Sequence, residues 1–445
     1  MGSIIMDDDA IAFRAEAQKG SKNYNQYQPL GHSGPQHARP TVLHVPKNYL
    51  IWDWRSGLMG LRDLNDPLGR IDRCRCGYVF RCVYFRQGGV ASDQHTVAVK
   101  LMDKRLIQLE NDDLESEVRA MRFLQHIGME TTLRNKHVIR WETAECSYNH
   151  YIATEYIANG SLISYMKKKF TECRSELHQC FGGSMDPAVV GKEVGRYFLL
   201  HVTLPLFHQI LCALAYIHGQ NLCHLDFDPY NIAVDVEGTI RILDFGSSHL
   251  VDGRGCVGGG RDFPQIKTKA IYRSPELKKN NRDRAKYMHY LRHRPADHTF
   301  RDEQRMIPQG FAGAKSDIFS AGVVCLEMML YGFHYGDCKG HEFVSAHNPQ
   351  YREQFYAHFN SNCSRPTCFL CQHNLPIPSF MMDAVSVMMA HNPVDRHFDA
   401  VQLANKWKKE WDTYAAEANR VGITAAAPRP SNHHHCMPPP FTTAC

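Results

Sequence analysis

No stretch of this sequence holds the roughly 18 consecutive apolar residues that a membrane-crossing helix needs, which argues against a spanning segment. The opening MGSIIMDDDA has no basic stretch leading into an apolar one, so no secretory leader is visible, and the 16 cysteines are expected to stay reduced. Position 6 is Met where a myristoylation signal has Ser or Thr, and Cys445 is the last residue rather than fourth from the end, so neither common lipid-anchor motif is present. Charge of one sign is also scarce. A net +5 over 445 residues is too diffuse to direct the chain to nucleic acid or to a lipid surface. Together these absences lead to the expectation of a cytoplasmic or nuclear protein with no membrane association.

What is present is enough apolar sequence for one large core or two modest ones. Residues 1–46 mix Gly, Gln, Asn, Ser, His and Pro without periodicity, and 418–445 are rich in Pro and Ala, so both ends read as disordered. Residues 47–65 read as an extension packing on the domain between them. From 66 to 100, Val, Tyr, Phe and Cys recur at strand spacing and end in Thr96-Val-Ala-Val-Lys100. From about Asp112 to His126, Leu114, Val118, Met121 and Leu124 mark one helical face. Glu117 falls on that face, where a lone carboxylate is costly unless a cation meets it, while Glu110 and Glu115 fall off it as solvated charges. Beyond about 157 the long patterns are helical, interrupted by an alternating hairpin, Ile232 to Asp244, around Glu237-Gly238.

Phosphoryl transfer needs a cation on the phosphates, oxygen ligands for a metal ion, and a carboxylate to orient the attacking hydroxyl. Residues of those types occur in order: Lys100 closing VAVK, Glu117, His224-Leu225-Asp226 opening a loop that ends at Asn231, Asp244-Phe245-Gly246, and Ser274-Pro275-Glu276. Each is weak alone, since a lysine at a strand end is ordinary and D-x-x-x-x-N is common. The ordered set is specific.

In these motifs the chain resembles the eukaryotic-type protein kinases. SDIFSAGVV, with Asp317, and NPVDR, with Arg396, extend the likeness to about residues 66–412. The resemblance implies an α+β bilobal fold, with a small β-rich N-lobe (about 66–156) and a larger, mainly helical C-lobe (about 157–412). Insertions are expected at about 168–195, 278–314 and 336–375. It implies ATP with Mg²⁺ (or Mn²⁺) as cofactors and Ser/Thr hydroxyls of a protein substrate as acceptors. Lys100 would hold the phosphates with Glu117 orienting it, Asp226 would align the hydroxyl, and Asn231 and Asp244 would bind metal. Gly77, Val79, Ala98, Thr154, Glu155, Ile157 and Ala233 would line the nucleotide site. Asp317 would lie beneath the catalytic loop, and Glu276 would pair with Arg396 as a buried bridge.

Several positions depart from that family. Asp72 and Cys74 stand where the first two phosphate-loop glycines belong, with Gly69 a displaced remnant, so a weaker phosphate grip is expected. Leu225 replaces the arginine beside the catalytic aspartate and Asp228 the lysine two residues after it. Asp228 should cost rate unless its carboxylate turns away or binds a second cation. With Gln265 near the expected phosphoacceptor position and Thr268 as a weak substitute, activation by loop phosphorylation is not expected. These losses support an alternative reading, a pseudokinase scaffold that binds nucleotide weakly or not at all. The basic run KKNNRDRAKYMHYLRHR reads first as a solvated helix and second as a docking surface for an acidic partner. TECRSELHQCFGGSMDPAVVGKE reads as a surface loop. Cys363, Cys368, Cys371 and His373 have ligand types suited to zinc, at a loose spacing for which reduced thiols are the default.

Overall fold

The structure is a computed structural model that describes residues 4–5, 11–13, 43–45, 49–51, 70–74, 76–84, 95–109, 114–124, 135–145, 149–181, 187–261, 263, 266–294, 299–334 and 377–420. The chain divides into two compact units, Met1–Arg134 with Ile139–Tyr156, and Asn135–Val138 with Ile157–Cys445.

The first unit is built on a seven-stranded sheet. Its centre is the strand His95–Asp103, paired antiparallel with Gly77–Tyr84 on one side and Asn149–Glu155 on the other. Val97, Val99 and Leu101 alternate into the core, as period-two side-chain placement requires. The strand Arg70–Cys74 folds back on Gly77–Tyr84, with Cys74 opposite Gly77 and a register irregularity between Arg70 and Asp72. Gly77 is required by packing, because a Cβ there would meet the Leu101 carbonyl oxygen at 1.9 Å. The helix Leu114–Phe123 buries Glu117, Ala120 and Met121 and leaves Arg119, Arg122 and Phe123 in solvent.

The second unit is mainly helical. Its core is the segment Glu193–Gly219, long and apolar enough by composition to cross a membrane yet largely buried inside the fold. Such burial marks a core helix of a globular domain. The helix Ala400–Arg420 packs on it, with Trp407 Nε1 donating to the Leu204 carbonyl at 3.1 Å and its ring edge-on to Phe207. The stretch expected to be a surface loop is helical instead, in Leu162–Phe181 and Pro187–Phe198. Phe170, Cys173 and Leu177 continue the buried face begun by Leu162 and Met166, so burial extends the helix past the point where its polar residues suggested a loop. The basic run is a helix, Pro275–Arg292, capped by Ser274, whose side chain accepts from the Leu277 N–H. The Ile232–Val234 and Ile240–Ile242 hairpin forms as read, with Asp235 Oδ1 accepting from the Glu237 and Thr239 N–H groups and Gly238 at φ +78°.

Candidate active site

In the first unit, direct cross-strand pairing aligns Val79 with Lys100 and Ala98 with Thr154. Opposed residues share a face, so Val79, Ala98, Lys100 and Thr154 lie together on one side of the sheet. The Lys100 ammonium meets both oxygens of Glu117, at 3.1 and 2.9 Å, and the Glu117 carboxylate is largely buried. Sequence periodicity had asked for a cation on that helical face, and Lys100 supplies it. Glu155 is held by Arg140, which donates from its backbone N–H and guanidinium at 3.1 Å each. The strand ends there, before Ile157, which belongs to the second unit.

In the second unit the loop from His224 to Asn231 is fixed from beneath. Asp317, fully buried, accepts from the His224 and Leu225 N–H groups at 2.7 Å each and from His218 Nε2 at 3.0 Å. A carboxylate so placed forces successive N–H groups to converge, and Leu225 takes a left-handed φ of +62° to allow it. His224 donates from Nε2 to the Leu243 carbonyl at 2.9 Å, and its Nδ1 accepts from the Asp226 N–H at 3.3 Å. Phe245, buried, packs edge-on to the same imidazole. The loop and the end of the hairpin are thereby tied to one ring.

Asn231 donates from Nδ2 to the Asp226 backbone carbonyl at 2.8 Å and to its Oδ2 at 3.0 Å. Its amide oxygen is therefore the atom suited to a metal ion. Asp244 is exposed, has φ +53°, and accepts from the Gly246 N–H at 3.2 Å. An amide oxygen and a carboxylate form the hard, oxygen-only donor set that Mg²⁺ or Mn²⁺ takes when water and phosphate complete the shell. Among the described residues no cluster of three or more His, Cys, Asp and Glu suggests a closed metal site. Burial, reinforced by the Asp228 charge and opposed by Lys269, pushes the Asp226 carboxyl up to about 6. Ala233 sits in the hairpin strand beside Ser161, fully buried.

Residues 76–288 match the protein kinase domain family. That stretch is a domain of the eukaryotic-type protein kinase superfamily. Among its relatives are a SNF1-related protein kinase catalytic subunit alpha KIN12 of Arabidopsis thaliana, 26% identical over 160 residues, and CBL-interacting protein kinase 30 of Oryza sativa subsp. japonica, 25% identical over 240 residues. A third is maternal embryonic leucine zipper kinase of Xenopus laevis, 28% identical over 153 residues. The matched stretches take in 35%, 53% and 34% of this chain and 25%, 36% and 18% of those proteins, so the likeness spans well under half of each relative.

The scaffold pair forms as the resemblance implied. Arg396, fully buried, meets both Glu276 oxygens, at 2.6 and 3.0 Å, and donates also to the Ala390 and Lys315 carbonyls. Asp228 lies in the interior of the second unit. It is fully buried, its Oδ1 accepts from the Tyr230 and Asn231 N–H groups at 2.7 and 3.3 Å, and its Oδ2 takes the ammonium of Lys269. Both escape routes anticipated for this carboxylate are used, turning inward and binding a cation. Lys269 carried no signal of its own, because the bond that gives it meaning joins residues 41 apart in sequence. Thr268 is engaged rather than free, its hydroxyl accepting from Arg273 Nε at 3.0 Å and its carbonyl from the same guanidinium. Gln265, Gly69 and the cysteines at 363, 368 and 371 with His373 lie outside the described residues.

Proposed function

We propose that this chain is an active protein kinase that transfers the γ-phosphoryl group of ATP to Ser or Thr hydroxyls of a protein substrate. The observation that carries the reading is the Asp226–Asn231 arrangement: one amide donates to the Asp226 backbone carbonyl and to its carboxylate, while the amide oxygen remains for a cation. The metal ion, Mg²⁺ or Mn²⁺, would neutralise charge on the phosphates when bound. Asn231 and Asp244 would hold it. Lys100, braced by Glu117, would hold the α and β phosphates, and Gly77, Val79, Ala98, Thr154, Glu155, Ile157 and Ala233 would surround the nucleotide. Asp226 would accept a hydrogen bond from the acceptor hydroxyl, orienting it for attack and receiving its proton as the P–O bond forms. The Ser/Thr preference rests on the loop lacking the arrangements that resemble tyrosine kinases.

The hairpin of Arg70–Cys74 with Gly77–Tyr84 favours one rival reading, a pseudokinase scaffold. Asp72 and Cys74 occupy positions where glycine backbone would approach phosphate. Transfer from labelled ATP with Mg²⁺ or Mn²⁺, to the chain itself and to casein, decides between them, with Asp226→Asn purified identically. Transfer lost in the variant supports the kinase. No transfer above that control, together with nucleotide-dependent thermal stabilisation, leaves the scaffold.

A further inference from the structure

The catalytic loop HLDFDPYN contains no lysine or arginine, and its two aspartates stand two residues apart with Asp244 close enough to add to their repulsion. Three carboxylates around the acceptor side of a phosphoryl transfer oppose the arrival of an anionic group. A cation from elsewhere in the chain, Lys269, answers two of them. Lys269, on the segment between Gly246 and Ser274, touches three of the loop's residues. Its ammonium pairs with Asp228 Oδ2 and lies 4.7 Å from the centre of the Tyr230 ring, and its backbone N–H donates to Asp226 Oδ1 at 3.3 Å.

The segment that delivers it is pinned on both sides of Lys269. Ser247 donates to the Lys267 carbonyl at 2.7 Å, and Arg273 holds Thr268. Tyr272, buried, donates to Glu327 at 2.8 Å and receives on its carbonyl the Ser320 hydroxyl at 2.7 Å. Asp228 in turn has no solvent to fall back on. A wholly buried carboxylate needs a cation, and its second oxygen has Lys269.

We propose that Lys269 is a positioning residue of the catalytic loop: a cation supplied by the activation segment, seated by Asp228, that fixes Asp226 and replaces the lysine the loop lacks. The pair reverses the polarity of the usual arrangement. Asp228 is the seat and Lys269 the charge. Because the latch uses side chains already present, the segment is held against the loop without a phosphate on it. This inference rests on the kinase reading above.

Steady-state transfer to casein by the full chain tests it, comparing wild type with Lys269→Met, Lys269→Arg and the double variant Asp228→Asn/Lys269→Met. Expected for Lys269→Met is a fall in kcat of about tenfold or more with KM for ATP changed less than about threefold. Lys269→Arg recovers most of the rate. The double variant has no uncompensated buried carboxylate, so it folds even where the single variant does not, and it is expected to remain as slow as Lys269→Met. If the double variant regains the wild-type rate, Lys269 merely neutralises Asp228 and the proposal falls. It falls equally if Lys269→Met keeps its kcat. A wild-type chain that transfers nothing overturns the kinase reading first, and this inference with it.

Discussion

Asp226 is half-buried among carboxylates, and its proton affinity follows from that company. Desolvation disfavours the charged form and the neighbouring Asp228 disfavours it further, which raises the group from 3.8 to about 6. A residue that orients a hydroxyl must be ionised to accept its hydrogen bond. The rate kcat/KM is therefore expected to fall about tenfold per pH unit below about 6 and to be flat above it, where the carboxylate is already charged. Rates measured between pH 5 and 8 at constant ionic strength check this, and a limb that stays at the ordinary carboxylate value would remove Asp226 from the role. The same residue shows how far sequence reaches. D-x-x-x-x-N spacing identified Asp226 and Asn231, but spacing carries no information on the bonds from Asn231 Nδ2 to the Asp226 carbonyl and carboxylate that fix that residue. Nor does it say that Asp228, a solvent-loving residue by type, is the most deeply buried carboxylate of the loop.

At the scale of elements, the helix Pro275–Arg292, the helix Gly313–His334 and the turn before Ala400 meet at one guanidinium. Arg396 is surrounded by the Glu276 carboxylate, the carbonyls of Ala390, Lys315 and His391, and the face of Phe319 at 4.9 Å. Lys315 adds bonds to the Arg396 and Phe398 carbonyls at 2.6 and 2.9 Å. Removing the carboxylate leaves a cation with no solvent exposure and only carbonyl partners. Glu276→Ala is expected to destabilise the chain by about 3–5 kcal/mol, read as a lower urea midpoint with unchanged slope. A loss below about 1 kcal/mol would mean the carbonyls suffice. The motif letters SPE and NPVDR pointed to this bridge because the resemblance pairs them. The helical character of 171–181 was missed for the opposite reason: its buried face is sparse, and only packing in the second unit turns Cys173 and Leu177 inward.

For the molecule as a whole, the described core holds histidines that stay neutral. Burial lowers His137 from 6.5 to about 3 and His208 to about 4, with Lys136 adding repulsion to the first and Lys408 to the second. In the unfolded chain both titrate near 6.5. Above that pH neither state holds the proton, so these groups leave stability unchanged. Below it the unfolded chain takes up protons the folded chain refuses, and stability falls steadily towards pH 4. Asp226 acts with opposite sign, because its folded value is raised and protonation in the fold is favoured between about 6 and 3.8. His137, His201 and His208, all lowered by burial, against the raised carboxyls of Asp226 and Asp235 predict net acid lability, seen as a lower thermal midpoint at pH 5 than at pH 7. His208→Gln is expected to shrink that difference, and an unchanged difference would exclude His208 as a source.

By itself the sequence determined the kinase family, the two-part α+β organisation and the order of the residues proposed to act, because spacing along a strand, a helix or a tight loop is a local property that survives in the linear text. It determined also what is missing, the phosphate-loop glycines and the loop's own cations. Only the tertiary structure decided which charges meet. Glu117 asks for a cation from its own helix, but which lysine answers depends on a strand 17 residues earlier. Lys269 gains its place only when a segment distant in sequence folds back on the catalytic loop. Electrostatic partners are chosen by distance in space and by exclusion of water, and neither quantity exists until the chain has closed around the charge.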